Sequence, residues 1–311
     1  MTRIVYWIGV LGLVSAPWHV APVQAGDVWP RVVQSADGVP ISYEVHGEGE
    51  PALVFIHGWS CDGRYWRNQV AHFANEHRVL VVDLAGHGHS GLGRQDYTMA
   101  AFGEDVRAMV EAEGVSEMIL IGHSMGGPVS VATALLMPDS VKGIVGVDTF
   151  QDVGGDMGAE EFEALIGPLR ENFRSGVAAF VQRMFGDETD ASLREWVVAD
   201  MSAAPPSVAL SALEEMFKDV IEREARTAFA ELEVPVVAIN ADIWPTNVEG
   251  NRRVMPHFEA VIIEGTDHFL HMAVPEVFNG ELSRVVAYLI DAGQWPVGSS
   301  AGERGLIGRL P

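Results

Sequence analysis

The sequence predicts an α/β fold: a mostly parallel sheet with helices on both faces and a helical insertion late in the chain. Three observations predict it. Apolar runs of strand length, such as Ala52–Ile56 and Gly143–Val147, are continuous rather than alternating, as in strands covered on both faces. Helical patterns separate these runs, which calls for parallel crossovers. Each run also ends in a polar or Gly-rich cluster, and sheets of this kind carry their chemistry at the carboxyl ends of the strands.

The chain of 311 residues, 48% of them hydrophobic, is long enough to bury a sizeable core. Its formal charge of −23 repels phosphate backbones and anionic lipid heads, so nucleic acid and membrane surfaces are not expected partners. With Cys61 as the one cysteine, no intramolecular disulfide and no cysteine-based metal site can form. The histidines are scattered without ligand spacing, so neither a metal nor another cofactor is expected.

The first element is a targeting segment. Arg3 precedes an apolar run from Ile4 to Val14, and Val23-Gln24-Ala25 offers small residues at a cleavage site. Residues 1–25 therefore read as a secretory signal peptide, too short in its apolar part to span a bilayer. The mature protein is expected to be exported, to a periplasm or the medium, with no stable membrane anchor after cleavage.

Arg31–Ser35 and Ile41–Val45 read as two strands joined by a turn at Asp37-Gly38. Strand runs follow at Ala52–Ile56, Arg78–Val82, Met118–Ile121, Gly143–Val147, Val234–Ile239 and Ala260–Ile263. Met99–Glu113 reads as a helix with Phe102, Val106, Met109 and Val110 on one face. From Phe150 to Glu224 no strand-like run occurs, only helical pattern broken by Gly154-Gly155, Gly186 and Pro205-Pro206. The division is thus a sheet core over 26–149 and 225–292, a helical cap over 150–224, and a Gly/Ser-rich tail over 293–311 that should fray.

The chemistry centres on Gly122-His123-Ser124-Met125-Gly126, which follows a strand and precedes the helical run Val129–Met137. This is the G-x-S-x-G elbow in its required context, with Ser124 held on a strained turn above the sheet. Gly122 and Gly126 avoid collision with the neighbouring helix and strand. A nucleophilic serine needs a base, and the base needs an orienting acid. His268, in Gly265-Thr266-Asp267-His268, occupies the late position that suits the base. His57, His87, His89 and His123 read as structural, with the His123 side chain directed away from the nucleophile, and His271 reads as a helix-side residue. Two carboxylates precede His268 at strand ends, Asp148 and Asp242, and both remain open as the acid. An oxyanion needs two backbone N–H donors; Met125 supplies one and Trp59, in His57-Gly58-Trp59, the other.

His57-Gly58-Trp59, Asp83-x-x-Gly-x-Gly-x-Ser90, Gly122-x-Ser124-x-Gly126-Gly127 and Gly265-x-x-His268 together resemble the α/β-hydrolase superfamily, from about Val32 to Ile290. The resemblance implies an eight-stranded, mostly parallel sheet with the helical cap after the sixth strand. It also bears on the acid. The usual acid position, after the seventh strand, is Trp244 here, whereas some members such as haloalkane dehalogenases carry the acid after the sixth strand, which is Asp148. Asp148 is therefore favoured over Asp242. Dehalogenases and epoxide hydrolases of the superfamily use Asp where this chain has Ser124, so those activities are disfavoured. The Asp83–Ser90 stretch reads as a structural turn.

The expected function is a secreted, cofactor-free serine hydrolase of carboxylic esters or lactones, with small to medium apolar substrates suggested by the Phe, Met and Trp content of the cap. Trp59, Phe150 and Trp244 are the candidate pocket residues. C–C bond hydrolysis and perhydrolysis use the same triad and stay open, and a slow or non-catalytic ligand receptor of the same fold is the rival from another class.

Overall fold

The structure is a computed structural model and describes residues 30–291. The expected signal peptide over 1–25 and the expected tail over 293–311 lie outside the described residues. The sheet has eight strands: β1 Arg31–Gln34, β2 Pro40–His46, β3 Ala52–Ile56, β4 Val79–Val82, β5 Met118–His123, β6 Val141–Val147, β7 Val236–Ala241 and β8 Phe258–Ile263. Their order is β1-β2-β4-β3-β5-β6-β7-β8. The β1–β2 and β2–β4 pairs are antiparallel, and every pair from β4–β3 onward is parallel. The β7 run starts at Val236, later than Val234, because Pro235 has no N–H to give the ladder; its carbonyl instead accepts from Ile144.

The described residues form a short 3₁₀ helix, Gly63–Trp66, and eleven α-helices: α1 Arg67–Phe73, α2 Met99–Ala112, α3 Gly126–Leu136, α4 Ala159–Glu171, α5 Phe173–Gln182, α6 Ala191–Met201, α7 Pro206–Ile221, α8 Glu224–Ala230, α9 Val248–Arg252, α10 Leu270–Ala273 and α11 Pro275–Asp291. The strand residues alternate between two apolar layers, as a pleat requires. Val54, Ile56, Leu80, Val82 and Leu120 face α2, α3 and the helices inserted after β6. Leu53, Phe55, Val81, Ile121 and Ile239 face α1 and α11. On α11, Phe278, Leu282, Val285 and Leu289 recur at helical spacing and are buried against the second layer.

Between β6 and β7 the chain is helical, from α4 through α8, so the helical stretch runs past Glu224 to Ala230. Its punctuation matches local chemistry. Asn172 caps α5 by accepting from the Ser175 N–H, Asp190 caps α6 through Leu193, and Pro206 opens α7 where a missing N–H costs nothing.

Two loops are fixed by buried carboxylates. Asp83 accepts from the Gly63 N–H and the His89 N–H, both at 2.8 Å, so the Asp83–Ser90 turn is held by its own side chain. A Cβ on Gly88 would lie 2.3 Å from an Asp83 carboxylate oxygen. Asp105, inside α2, is fully buried. It accepts from Arg94 Nη2 and Ser35 Oγ, both at 2.5 Å, and from the Ala85 N–H at 3.0 Å.

Candidate active site

The carboxyl ends of β3, β5, β6 and β8 converge on one place. Ser124 leaves β5 at φ 51, a left-handed conformation that a serine adopts only under constraint. Its N–H donates to Val147 of β6, and its carbonyl accepts from Gly127 as α3 begins. The flanking glycines are sterically required. A Cβ on Gly122 would lie 2.1 Å from the Gly126 carbonyl oxygen, and one on Gly126 would lie 2.4 Å from that of Ile56. The turn therefore holds the hydroxyl at the amino end of α3, where the helix dipole favours developing negative charge.

His268 follows β8 and is buried. Its Nδ1 lies 2.5 Å from Asp148 Oδ2. A carboxylate only accepts, so the proton sits on Nδ1 and the Nε2 lone pair is left free. Asp148 follows β6 at φ 43, is itself buried, and accepts the Ala241 N–H on its other oxygen at 2.9 Å. Asp242, by contrast, is exposed and accepts the Gly265 N–H at 2.9 Å, which ties the loops after β7 and β8 together away from the imidazole. Trp244, at the usual acid position, sets its indole edge-on to the His268 ring with centroids 5.3 Å apart.

Trp59 follows β3. Its indole is locked by donation to the Ala209 carbonyl at 2.7 Å and meets Phe180 edge-on. Among the described residues, no acceptor takes the backbone N–H of Trp59 or of Met125. Trp59 borders the same cavity as Ser124, and Met125 follows Ser124 directly, which makes this pair the candidate donors to a ligand oxygen.

Ser124, His268, Trp59 and Trp244 line a cavity of about 170 Å³ whose far walls come from the insertion between β6 and β7, through Phe180, Met184 and Phe217. No charged side chain lines it among the described residues. A larger hollow of about 680 Å³ lies between α2, α3 and α8 and contains none of these groups.

Phe150 is a correction: it does not line the cavity. At φ 60 the backbone turns its ring inward, and it packs over Gly127 and Gly146 and against Phe229 at 5.5 Å. The two glycines leave the space the ring fills, so Phe150 is a core residue. His123 has a contact that the sequence did not show: its ring lies 4.7 Å from the His268 ring, and Nε2 donates to the His268 carbonyl at 2.9 Å. His57 is structural as expected: Nδ1 donates to the Gly58 carbonyl and Nε2 accepts from the Leu84 N–H. Burial holds its pKa below the usual imidazole value. His271 lies on α10 and is fully buried, and burial pushes its pKa down to about 3.

Sequence reasoning missed the part the insertion plays in the site. The His268 N–H donates to the Met184 carbonyl at 3.1 Å, and Thr189 donates to the neighbouring Asp267 carboxylate. A backbone carbonyl leaves no signal in a sequence.

A fold with an elbow serine, a carboxylate-bound imidazole and a free N–H pair defines a hydrolase scaffold, and comparisons with known proteins agree. A family model described as alpha/beta hydrolase fold matches residues 51–225. A pimeloyl-[acyl-carrier protein] methyl ester esterase from Aliivibrio salmonicida is 26% identical over 254 residues, covering 78% of this chain and 94% of the relative. Karrikin insensitive 2 receptor CA from Petunia hybrida is 25% identical over 197 residues, covering 60% of this chain and 72% of the relative. Among solved structures, the esterase RhEst1 from Rhodococcus sp. ECU1013 superposes with a TM-score of 0.69 at 25% identity, covering 84% of this chain and 100% of that one. The chain belongs to the α/β-hydrolase fold family.

Proposed function

We propose that this chain hydrolyses carboxylic esters through an acyl-enzyme on Ser124. The observation that carries the reading is the 2.5 Å contact between His268 Nδ1 and the buried Asp148 carboxylate, beside a cavity that Ser124 and His268 both line. With Nδ1 protonated, Nε2 is the base that takes the proton from Ser124 Oγ as the hydroxyl attacks the ester carbonyl. The carbonyl oxygen becomes an oxyanion facing the N–H groups of Trp59 and Met125 at the amino end of α3. The imidazolium then gives its proton to the leaving alcohol. Water, deprotonated by the same Nε2, attacks the acyl-enzyme carbonyl, and the imidazolium returns that proton to Ser124 Oγ as the acyl–Oγ bond breaks and the acid leaves. Asp148 fixes the tautomer and stabilises the transient imidazolium.

The uncharged, apolar cavity of about 170 Å³ suits small to medium neutral acyl groups or lactones. The helices of the insertion act as a cap that sets this limit. Nitrophenyl esters of increasing acyl length test both points. Turnover should be highest for short chains and fall for long ones, and Ser124→Ala should lose it by a factor of about 10³ or more. Equal rates for the two proteins would favour the receptor reading, which the likeness to a plant receptor keeps in view. Trp244 stands where an acid is usual, but the Asp148 carboxylate bonded to His268 weighs against a receptor without turnover. Export is proposed from residues 1–25 alone, and mass spectrometry of the secreted protein should find an N-terminus near Gly26.

A further inference from the structure

His123 has no part in the reaction just described, yet it is built into the site. It immediately precedes Ser124 at the end of β5, and its ring is 1% exposed. The His268 carbonyl can only accept, so the 2.9 Å contact puts the proton of His123 on Nε2. Its Nδ1 has no hydrogen-bond partner. That nitrogen faces Gly58, where a Cβ would lie 2.8 Å from it. An imidazole buried with one nitrogen unmatched destabilises the fold relative to an apolar side chain of the same volume. Its one polar bond goes to the residue that carries the base.

The backbone of His268 is held from two sides. Its N–H donates to Met184 in the insertion, and its carbonyl accepts from His123 on the strand that carries Ser124. The side chain adds the third point, Asp148. Of the three, only His123 is joined covalently to the nucleophile. We propose that His123 is a positioning residue whose Nε2–H bond to the His268 carbonyl sets the spacing between base and nucleophile. Misplacement of such a pair by about 1 Å can lower a rate a hundredfold. Burial, reinforced by the facing His271 and His268 rings, keeps the His123 pKa well below the usual value. The ring therefore stays neutral while His268 cycles through its charged form. The kinetic readout rests on the ester-hydrolase reading above; a spectroscopic one does not.

The test compares His123→Gln, whose amide N–H reaches about as far as Nε2, with His123→Leu, which has no donor. For short-chain nitrophenyl esters, His123→Leu should lose kcat by about ten- to a hundredfold with KM nearly unchanged. His123→Gln should recover most of that loss. In proton NMR the Nδ1–H of His268 against Asp148 should resonate far downfield, assigned by its absence in Asp148→Asn. It should be sharp in the parent and in His123→Gln, and broadened or shifted in His123→Leu. If His123→Leu fails to fold, His123→Phe, which keeps a ring and lacks the donor, carries the same comparison. A folded donor-less variant with parental kcat and an unmoved resonance overturns the proposal, as does a His123→Gln variant no better than His123→Leu. A parent that cleaves no ester would defeat the proposed function, and the resonance would still decide this one.

Discussion

Two aspartates that look alike in the sequence have different work in the fold. Asp148 is buried and shares its two oxygens between His268 and the Ala241 N–H, whereas Asp242 is exposed and holds only the Gly265 N–H. Asp148→Asn should therefore lower kcat by about 10³- to 10⁴-fold, because an amide no longer enforces the Nδ1–H tautomer. Asp242→Asn should keep kcat and lose about 1 kcal/mol of stability at most, the value of one exposed hydrogen bond. The esterase assay with thermal unfolding checks both, and a large kcat loss confined to Asp242→Asn would mean that the carboxylates are misassigned. Ser124 is legible from its flanking glycines and His268 from its place after the last strand, whereas strand ends alone leave Asp148 and Asp242 equal, and only the family resemblance favours Asp148. Phe150 was misread because aromatic composition says nothing about direction, and its direction depends on φ 60 and on the room left by Gly127 and Gly146. The role of Met184 was invisible, since it acts through its carbonyl.

At the scale of elements, the inner strands are readable because runs buried on both faces admit few polar residues, whereas β1 and β2, partly exposed, are marked by the turn at Asp37-Gly38 between them. What the pattern conceals is the polar exception. Asp105 stands on the apolar face of α2 beside Phe102 and Val106, fully buried, and is bonded by Arg94, Ser35 and Ala85. Helical periodicity marks such a position as core and gives no hint of a charge there. Arg94 is nearly as buried, with 4% of its side chain exposed, so neither charge has water to fall back on. Asp105→Ala should thus cost about 2–4 kcal/mol, because the guanidinium would lose its buried partner and keep only the part-exposed Asp37 carboxylate, 2.7 Å from Nε. The double variant Arg94→Met with Asp105→Leu should regain much of that loss, since an apolar pair needs no mutual neutralisation. The regain stays incomplete because Ser35 Oγ and the Ala85 N–H lose their acceptor. Urea unfolding of the parent, the single and the double variant measures the three values. A double variant no more stable than Asp105→Ala would show that the pair fixes this corner in a way hydrophobic packing cannot replace.

For the whole molecule the dominant quantity is the charge of −23, which favours solubility and works against compactness. The strain is visible at Asp219 on α7. Burial, with Glu224 and Glu215 adding to it and Lys218 opposing, raises its carboxyl pKa from 3.8 to about 6. A raised acid pKa means that the folded state resists ionisation. Stability linked to Asp219 is therefore full below about pH 3.8 and declines as pH rises through about 6. At pH 7.5 the ionised group destabilises the fold, and Asp219→Asn should raise the melting temperature. The gain should correspond to roughly 0.5–1 kcal/mol, since the half-buried site is partly screened by solvent. The advantage should shrink as pH falls toward 4, where Asp219 is already neutral in the fold. Added salt should raise the melting temperature of the parent more than that of Asp219→Asn at pH 7.5, because screening relieves the same repulsion that the substitution removes. Calorimetry across pH and ionic strength reads both effects. An Asp219→Asn variant equally stabilised at pH 4 and pH 7.5 would place the gain in packing or helix propensity and remove electrostatics as its cause.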